Sequence, residues 1–348
     1  MFKCNDEFTL DPSIRSISYD SLHSSLTTTS EFDLDIVEVD SPYLFSASPD
    51  RFLGACNGLV CMMFQSVNRV VPFLCVWNPP TRECRKIPKS RNEVKKGYVC
   101  HYAFDYDYKI DDYKLVKVVQ KVGSKDGSLV EVYTLGKNSW GSIQMIPYMF
   151  HLLPYSSINQ PGVLVNGIRH WLGKSNVQGQ DFSKVIVSLD ISNERFEEMQ
   201  LPKELLEKDF LMTVGVLEGC LCAVVAVVFM RVEVWVMRNY GYRESWNQRF
   251  VISQELVTKN PFLRLIWCFK DGKILFKTST SLVLYDPKQE SCTEPRIRYL
   301  RELFEVENYV ESLVSLKFGI RARRKKNGPT GKTIIEKRSK KNKKSVCY

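Results

Sequence analysis

The side chains able to do chemistry in this 348-residue chain are few and scattered. Its four histidines, His23, His101, His151 and His170, lie far from one another and from any cysteine pair. No C-x-x-C word occurs, so the spacing that builds a zinc site is missing. The eleven cysteines are an odd number and several sit in apolar runs (Cys61, Cys75, Cys220, Cys222, Cys268). That pattern reads as reduced core thiols in a cytosolic or nuclear protein. Asp105, Asp107, Asp111 and Asp112 cluster like a calcium loop but lack the Gly and closing Glu of an EF-hand, so they read as an exposed turn. There is no G-x-S-x-G, no P-loop and no H-E-x-x-H. His170, beside Trp171 in an apolar run, reads as a packed histidine rather than a base. No catalytic residue, metal site or cofactor is expected, and the chain reads as a binding protein, not an enzyme.

Composition narrows the class further. Hydrophobic residues make up 44% and charged residues 25%, an ordinary globular balance. The first residues carry no basic start and no apolar core, so secretion is not expected. The most apolar window, Leu211 to Met230, is broken by Glu218 and leaves twelve uncharged residues from Gly219. A membrane-spanning helix needs about 20. The net charge of +10 belongs to one end: Phe318 to Tyr348 holds twelve Lys or Arg against Glu336, which leaves residues 1–317 near neutral. A basic binding face is therefore not implied by the isoelectric point.

The elements repeat. A turn inside an apolar hairpin occurs at Asn57-Gly58, Asn166-Gly167, Glu218-Gly219 and Asp271-Gly272, at spacings of 109, 52 and 53 residues. Asn-Gly and Asp-Gly serve two-residue hairpins because both positions need positive φ. The first spacing is close to two periods, and the missing member falls near Ile110, where an acidic turn replaces the glycine. Each hairpin is followed by a third apolar strand: Phe73 to Trp77, Leu129 to Leu135, Lys184 to Leu189, Val232 to Met237 and Ser281 to Tyr285. A more polar fourth strand with one or two apolar anchors comes next. Four antiparallel strands in about 50 residues predict a propeller blade. A β-sandwich with as many strands would show no such period. Five units are complete. Short alternating runs at Ile14 to Tyr19 and Phe32 to Val39, with an apolar strand at Tyr309 to Leu316, are expected to share a sixth blade, so that no sheet edge stays open. Seven blades remain open if residues 1–50 hold further strands. Ser24 to Ser30 reads as a loop, and Lys203 to Lys208 and Arg298 to Glu307 could form short helices.

Seven words of this repeat, in order, resemble the plant F-box-associated interaction domain. They are Gly54 to Cys61, Val76 to Arg82, Asp111 to Val116, Gly162 to Leu172, Val232 to Met237 with Glu244-Ser245-Trp246, Leu282 to Pro287, and Tyr309 to Val314. The resemblance covers roughly residues 13 to 316. It implies an all-β, kelch-like β-propeller of about six four-stranded blades, closed by N- and C-terminal strands. It also implies a substrate receptor of an SCF-type ubiquitin ligase, in which an F-box docks on a Skp-type adaptor and the propeller captures a protein substrate. Nothing in residues 1–12 has the Leu-Pro and Trp-Arg words of an F-box. Adaptor docking is accordingly not expected of this polypeptide, and a regulator that binds targets without delivering them, or an upstream truncation, stays open.

The expected organisation is an N-terminal extension (1–12), a propeller (13–317) and a basic tail (318–348). Contact loops are sought where the chain exceeds its period. They are Asp105 to Asp112, carrying Asp105, Tyr106, Asp107 and Tyr108; Tyr148 to Pro161, carrying Tyr148, Phe150, His151 and Tyr155; and Arg238 to Arg243, carrying Tyr240 and Tyr242. In the tail, Arg321, Arg323, Arg324, Lys325 and Lys326, then Lys337, Arg338, Lys340, Lys341, Lys343 and Lys344, resemble a bipartite nuclear import signal. The expected location is nucleus and cytoplasm. A membrane or nucleic-acid partner is not expected.

Overall fold

The computed structural model describes residues 1–6, 12–27, 37–43, 47–66, 72–92, 96–150, 162–175, 183–206, 211–227, 231–253, 262–279, 281–294 and 300–316. They form six antiparallel sheets, five of four strands and one of five. Blade 1 contains Ala47–Cys56, Leu59–Ser66, Phe73–Asn78 and Glu83–Lys86. Blade 2 contains Tyr98–Asp107, Asp112–Lys121, Ser128–Thr134 and Ser139–Ile146. In blade 3 the first strand is split into Tyr148–Phe150 and Val163–Val165, both paired to Ile168–Ser175. Ser183–Asp190 and Arg195–Gln200 complete it. Blade 4 contains Leu211–Leu217, Cys220–Val227, Arg231–Met237 and Trp246–Ser253. Blade 5 contains Arg264–Cys268, Ile274–Lys277, Leu282–Asp286 and Ser291–Thr293.

Blade 6 joins the two ends of the chain. Leu300–Val306 pairs with Phe2–Asp6, which pairs with Pro12–Ser16 and then Val37–Glu38. Residues 2–6 are thus a strand of the ring and not an extension outside it. Leu300–Val306, whose Leu300, Leu303 and Phe304 spacing reads as helical within the stretch Arg298 to Glu307, is here a strand. Register shifts between Lys3 and Cys4 and between Asn5 and Asp6 break the two-residue alternation and produce that spacing. Tyr309 to Leu316, read as a strand, follows as extended chain outside the sheets. Residues Tyr19–Thr27, partly read as loop, form a helix. Ser18 starts it, its hydroxyl accepting from the Ser21 N–H at 3.0 Å, and Leu22 buries against blade 5.

The alternation of strand residues builds one apolar layer between each pair of neighbouring blades. On Asp112–Lys121, Leu115 and Val119 face blade 1, whereas Val116 and Val118 face Val185 and Val187 of blade 3. Ile186 and Leu172 meet Val214 and Trp246 of blade 4. Val224 and Val234 meet Phe276 and Leu265 of blade 5. Leu275 and Leu284 meet Val306 of blade 6, and Ile14 meets Met62 and Trp77 of blade 1, which returns the ring to its start.

Three of the four hairpin pairs take the positive φ at both positions that the turn demands, whereas at Asp271-Gly272 only Gly272 does, in a longer turn closed by the Phe269 N–H on the Lys273 carbonyl. Asn57 and Gly58 lie at φ 50° and 82°, Asn166 and Gly167 at 53° and 76°, Glu218 and Gly219 at 51° and 76°. In blade 2, whose first hairpin turn lacks a glycine, Asp111 takes φ 54°. Gly58 has a second duty. A Cβ there would come within 2.2 Å of the Ser312 Cβ, because the C-terminal segment crosses directly over this turn. Asn78 Nδ2 donates to the Ser312 and Val314 carbonyls at 3.0 and 2.6 Å, and Glu83 accepts the Leu316 N–H at 2.7 Å. Asn78 is fully buried, so Asn78→Ala orphans two carbonyls and is expected to cost about 2–3 kcal/mol. Hydrogen exchange should then rise at residues 312–316 while blade 4 amides stay protected. Unchanged exchange would show that the strap is held without Asn78.

Candidate interaction surface

A four-strand meander sends its first-to-second and third-to-fourth connections to one face of the ring. The second-to-third connections and the crossings between blades lie on the opposite face. On this topology the turns at 57–58, 108–111, 166–167, 191–194, 218–219 and 238–245 share what we call the hairpin face. Asp105 to Asp112 and Arg238 to Arg243 meet that face. Tyr148–Phe150 does not; it pairs with Gly173–Ser175 at the other end of its blade. Tyr148 and Phe150 are buried between blades 2 and 3, correcting their expected place on a surface loop. Their apolar rings cover Val118 and Val130, and Gln120 bonds both backbone groups of Phe150, at 2.7 and 2.9 Å. His151 and Tyr155, like Arg321 to Lys344 of the tail, lie outside the described residues.

The acidic cluster is split between core and rim. Asp105 is buried and accepts from Arg169 of blade 3 through Nε, at 2.9 Å, and through a second guanidinium nitrogen. Asp107 is buried beside Lys114 at 2.9 Å, with Ser192 Oγ donating at 2.8 Å and the Lys109 N–H at 2.9 Å. Burial pushes the Asp107 carboxyl up, but these donors outweigh it and hold the group below its ordinary range. Lys114 also reaches Glu194 at 2.7 Å, and the two carboxylates raise its amine against the opposing effect of burial. Asp105 and Asp107 therefore brace blade 2 against blade 3 and are not exposed turn residues. No group of three or more His, Cys, Asp or Glu able to hold a metal occurs among the described residues.

Around these braces the aromatic rings climb from core to solvent. Phe104 stacks on Tyr113 at 5.6 Å; Tyr113 meets Tyr106 at 4.9 Å; Tyr106 meets Tyr108 at 4.9 Å and bonds to Asp111. Tyr108 is 79% exposed at the end of this ladder, next to half-exposed Ile110. The strap from blade 6 adds Val310 and Leu313, exposed by 78% and 83%, above the Asn57-Gly58 turn. Neither was among the residues singled out in the sequence, because an apolar run ending the repeat reads as another buried strand. On blade 4, Tyr240 is tied down by His170 Nε2 at 2.7 Å, whereas Tyr242 stands in solvent. These exposed apolar side chains all belong to connections on the hairpin face or to the strap that crosses it.

Six antiparallel sheets in a closed ring, with buried charges serving as braces, define a β-propeller. The chain belongs to the F-box associated beta propeller domain family, whose sequence pattern matches residues 14–316. F-box protein CPR1 of Arabidopsis thaliana is 31% identical over 310 residues, spanning 81% of this chain and 73% of that protein. F-box protein At4g22390 of the same plant is 30% identical over 312 residues, spanning 81% and 75%. Among solved structures, Trypanosoma rangeli sialidase in complex with sialic acid aligns over 75% of this chain and 49% of its own, with a TM-score of 0.41 and 13% identity.

Two buried histidines among the described residues, His101 and His170, predict an acid-sensitive ring. Burial lowers His170 to about 4, and burial with Arg51 nearby lowers His101 to about 3. An unfolded histidine titrates near 6.5, so their contribution is fully present above that value and is lost as pH falls toward 4. The melting temperature should drop between about pH 6.5 and 4.5, and His101→Gln should flatten that drop. An unchanged pH profile in the variant would remove His101 from this account.

Proposed function

We propose that the propeller recognises a protein substrate for a ubiquitin ligase, holding it on the hairpin face around Tyr108, Ile110, Val310 and Leu313. The observation that carries this reading is membership of a family whose relatives are F-box proteins. The exposed aromatic and aliphatic cluster supports the location, since binding energy concentrates in a few such side chains at the centre of a contact. The propeller supplies recognition, and the transfer chemistry belongs to other subunits. Residues 2–6 and 12–16 serve as strands of blade 6, and the reading assigns no adaptor docking to them. A photo-cross-linking residue at position 108 or 313 should capture the same protein, while one at 145 or 251, exposed on outer strands, should not. Ubiquitination of that protein should fall when the chain is depleted. Equal capture from all four positions would overturn the reading.

The basic tail we assign to nuclear import. Removing residues 318–348 should shift the chain toward the cytoplasm, and an unaltered distribution would sink the assignment.

A further inference from the structure

The turn joining the first two strands of blade 2 separates its own charges. Lys109 is drawn toward blade 3, its backbone N–H donating to Asp107 at 2.9 Å and its amine to Asn193. Asp111 turns the other way and accepts from the Tyr106 hydroxyl. Tyr106 pairs directly with Tyr113 on the blade 1 side of the sheet. Among the described residues that hydroxyl is the one side-chain partner of Asp111, which has no ion pair. Tyr108 and Asp111 are both exposed. Both touch the Tyr106 side chain, Asp111 at its hydroxyl and Tyr108 at its ring, with centroids 4.9 Å apart. An open aromatic ring and an unpaired carboxylate therefore stand side by side.

The strap brings a rigid leucine to the same seam between blades 1 and 2. Tyr113 meets the Asn57 side chain through its hydroxyl, Gly58 lies under Ser312, and Val314 packs into the layer that holds Tyr113 and Cys56. Asn78 fixes the carbonyls on both sides of Leu313, and the Val314 N–H donates to Ser312 Oγ at 3.1 Å. Leu313 itself is left 83% exposed. An apolar side chain whose backbone is already held loses little freedom when a partner covers it.

Taking the hairpin face as the substrate contact, on which this rests, we infer that the captured segment is basic. An arginine lies over the Tyr108 ring with its guanidinium on Asp111, and an apolar residue a few positions away covers Leu313. An apolar side chain over Tyr108 would strip water from Asp111 and return nothing. A cation satisfies ring and carboxylate together. The planar guanidinium can stack and fork where a lysine amine cannot. Acidic segments and nucleic acid are turned away by Asp111 and by Glu311, exposed on the strap. Neither an exposed ion pair nor an exposed cation–π contact binds strongly alone, so the leucine contact acts with them.

Short labelled Gly/Ser peptides carrying one Arg and one Leu, at a graded series of spacings, test this on the full chain. At the best spacing, replacing the peptide's Arg by Gln should weaken binding about tenfold. Asp111→Asn suits the φ of 54° at that position and keeps an acceptor for Tyr106. It should weaken the Arg peptide about fivefold and leave the Gln peptide unchanged, and Tyr108→Leu should do the same. Tyr108→Lys with Asp111→Asn should turn the preference from Arg to Glu, a gain that misfolding cannot mimic. Leu313→Ser should abolish the preference for Leu over Ser in the peptide. Equal affinity for Arg and Gln peptides at every spacing, or tighter binding of a Glu peptide, would overturn the inference. If cross-linkers at 108 and 313 then still capture a common protein, the basic anchor falls and the substrate reading stands. Arg-dependent peptide binding without that capture supports the anchor and removes the substrate reading.

Discussion

A row of six sheets packed face to face has two open ends, and this fold exists only because they are made to meet. The joint is antiparallel pairing of Leu300–Val306 with Phe2–Asp6, continued by the Glu307 N–H donating to the Met1 carbonyl at 2.8 Å. Without it, Ile14 and Met1 on one side and Ile266 and Leu275 on the other would lose their covering layer. An unpaired strand edge is also a template for other chains. Closure therefore governs burial and solubility at once. The strap then locks the joint to blade 1 through Asn78 and Glu83, both on or beside the turn that follows its third strand.

Within the ring, apolar layers supply most of the driving force and polar contacts select the register. The inner strands are sewn to their neighbours by bonds that a slipped blade would break. Phe52 N–H reaches Glu305 at 2.7 Å, Thr213 reaches the Leu263 carbonyl at 2.8 Å, and Ser128 reaches the Tyr148 carbonyl at 2.7 Å. Asp105 with Arg169 adds a buried pair whose separation would strand a charge, a loss of about 3–5 kcal/mol. Residues committed to these seams are unavailable to a partner.

The architecture was legible because a propeller writes itself as a period. Turn residues with positive φ, apolar third strands and polar fourth strands recur at 52–53 residues and match the sheets. The closing blade was harder to read. Its strands come from both ends, and two bulges disguise Leu300–Val306 as a helix, so the expected strand slid to Tyr309 to Leu316. The exposure of the loop residues was legible only in part. Tyr108 and Tyr242 do stand in solvent. Asp105 and Asp107 are consumed by cations 64 and 7 positions further along the chain, Arg169 and Lys114, and the first of these pairings crosses between blades. Tyr148 and Phe150 look like loop residues because the strand that holds them is only three residues long.

The end-to-end pairing of blade 6 also sets a schedule. Phe2–Asp6 and Pro12–Ser16 precede blades 1 to 5 in the chain, yet their inner partner, Leu300–Val306, follows only after the other five blades. At roughly 5–20 residues per second, those strands wait some tens of seconds with an edge unpaired. Blades 1 to 5 have mostly local pairings and can assemble as they appear, whereas the last contact to form is among the longest-range in the molecule. A nascent chain of this kind is most exposed to misassociation just before Leu300–Val306 arrives, and Phe2–Asp6 is the edge a chaperone would have to shield.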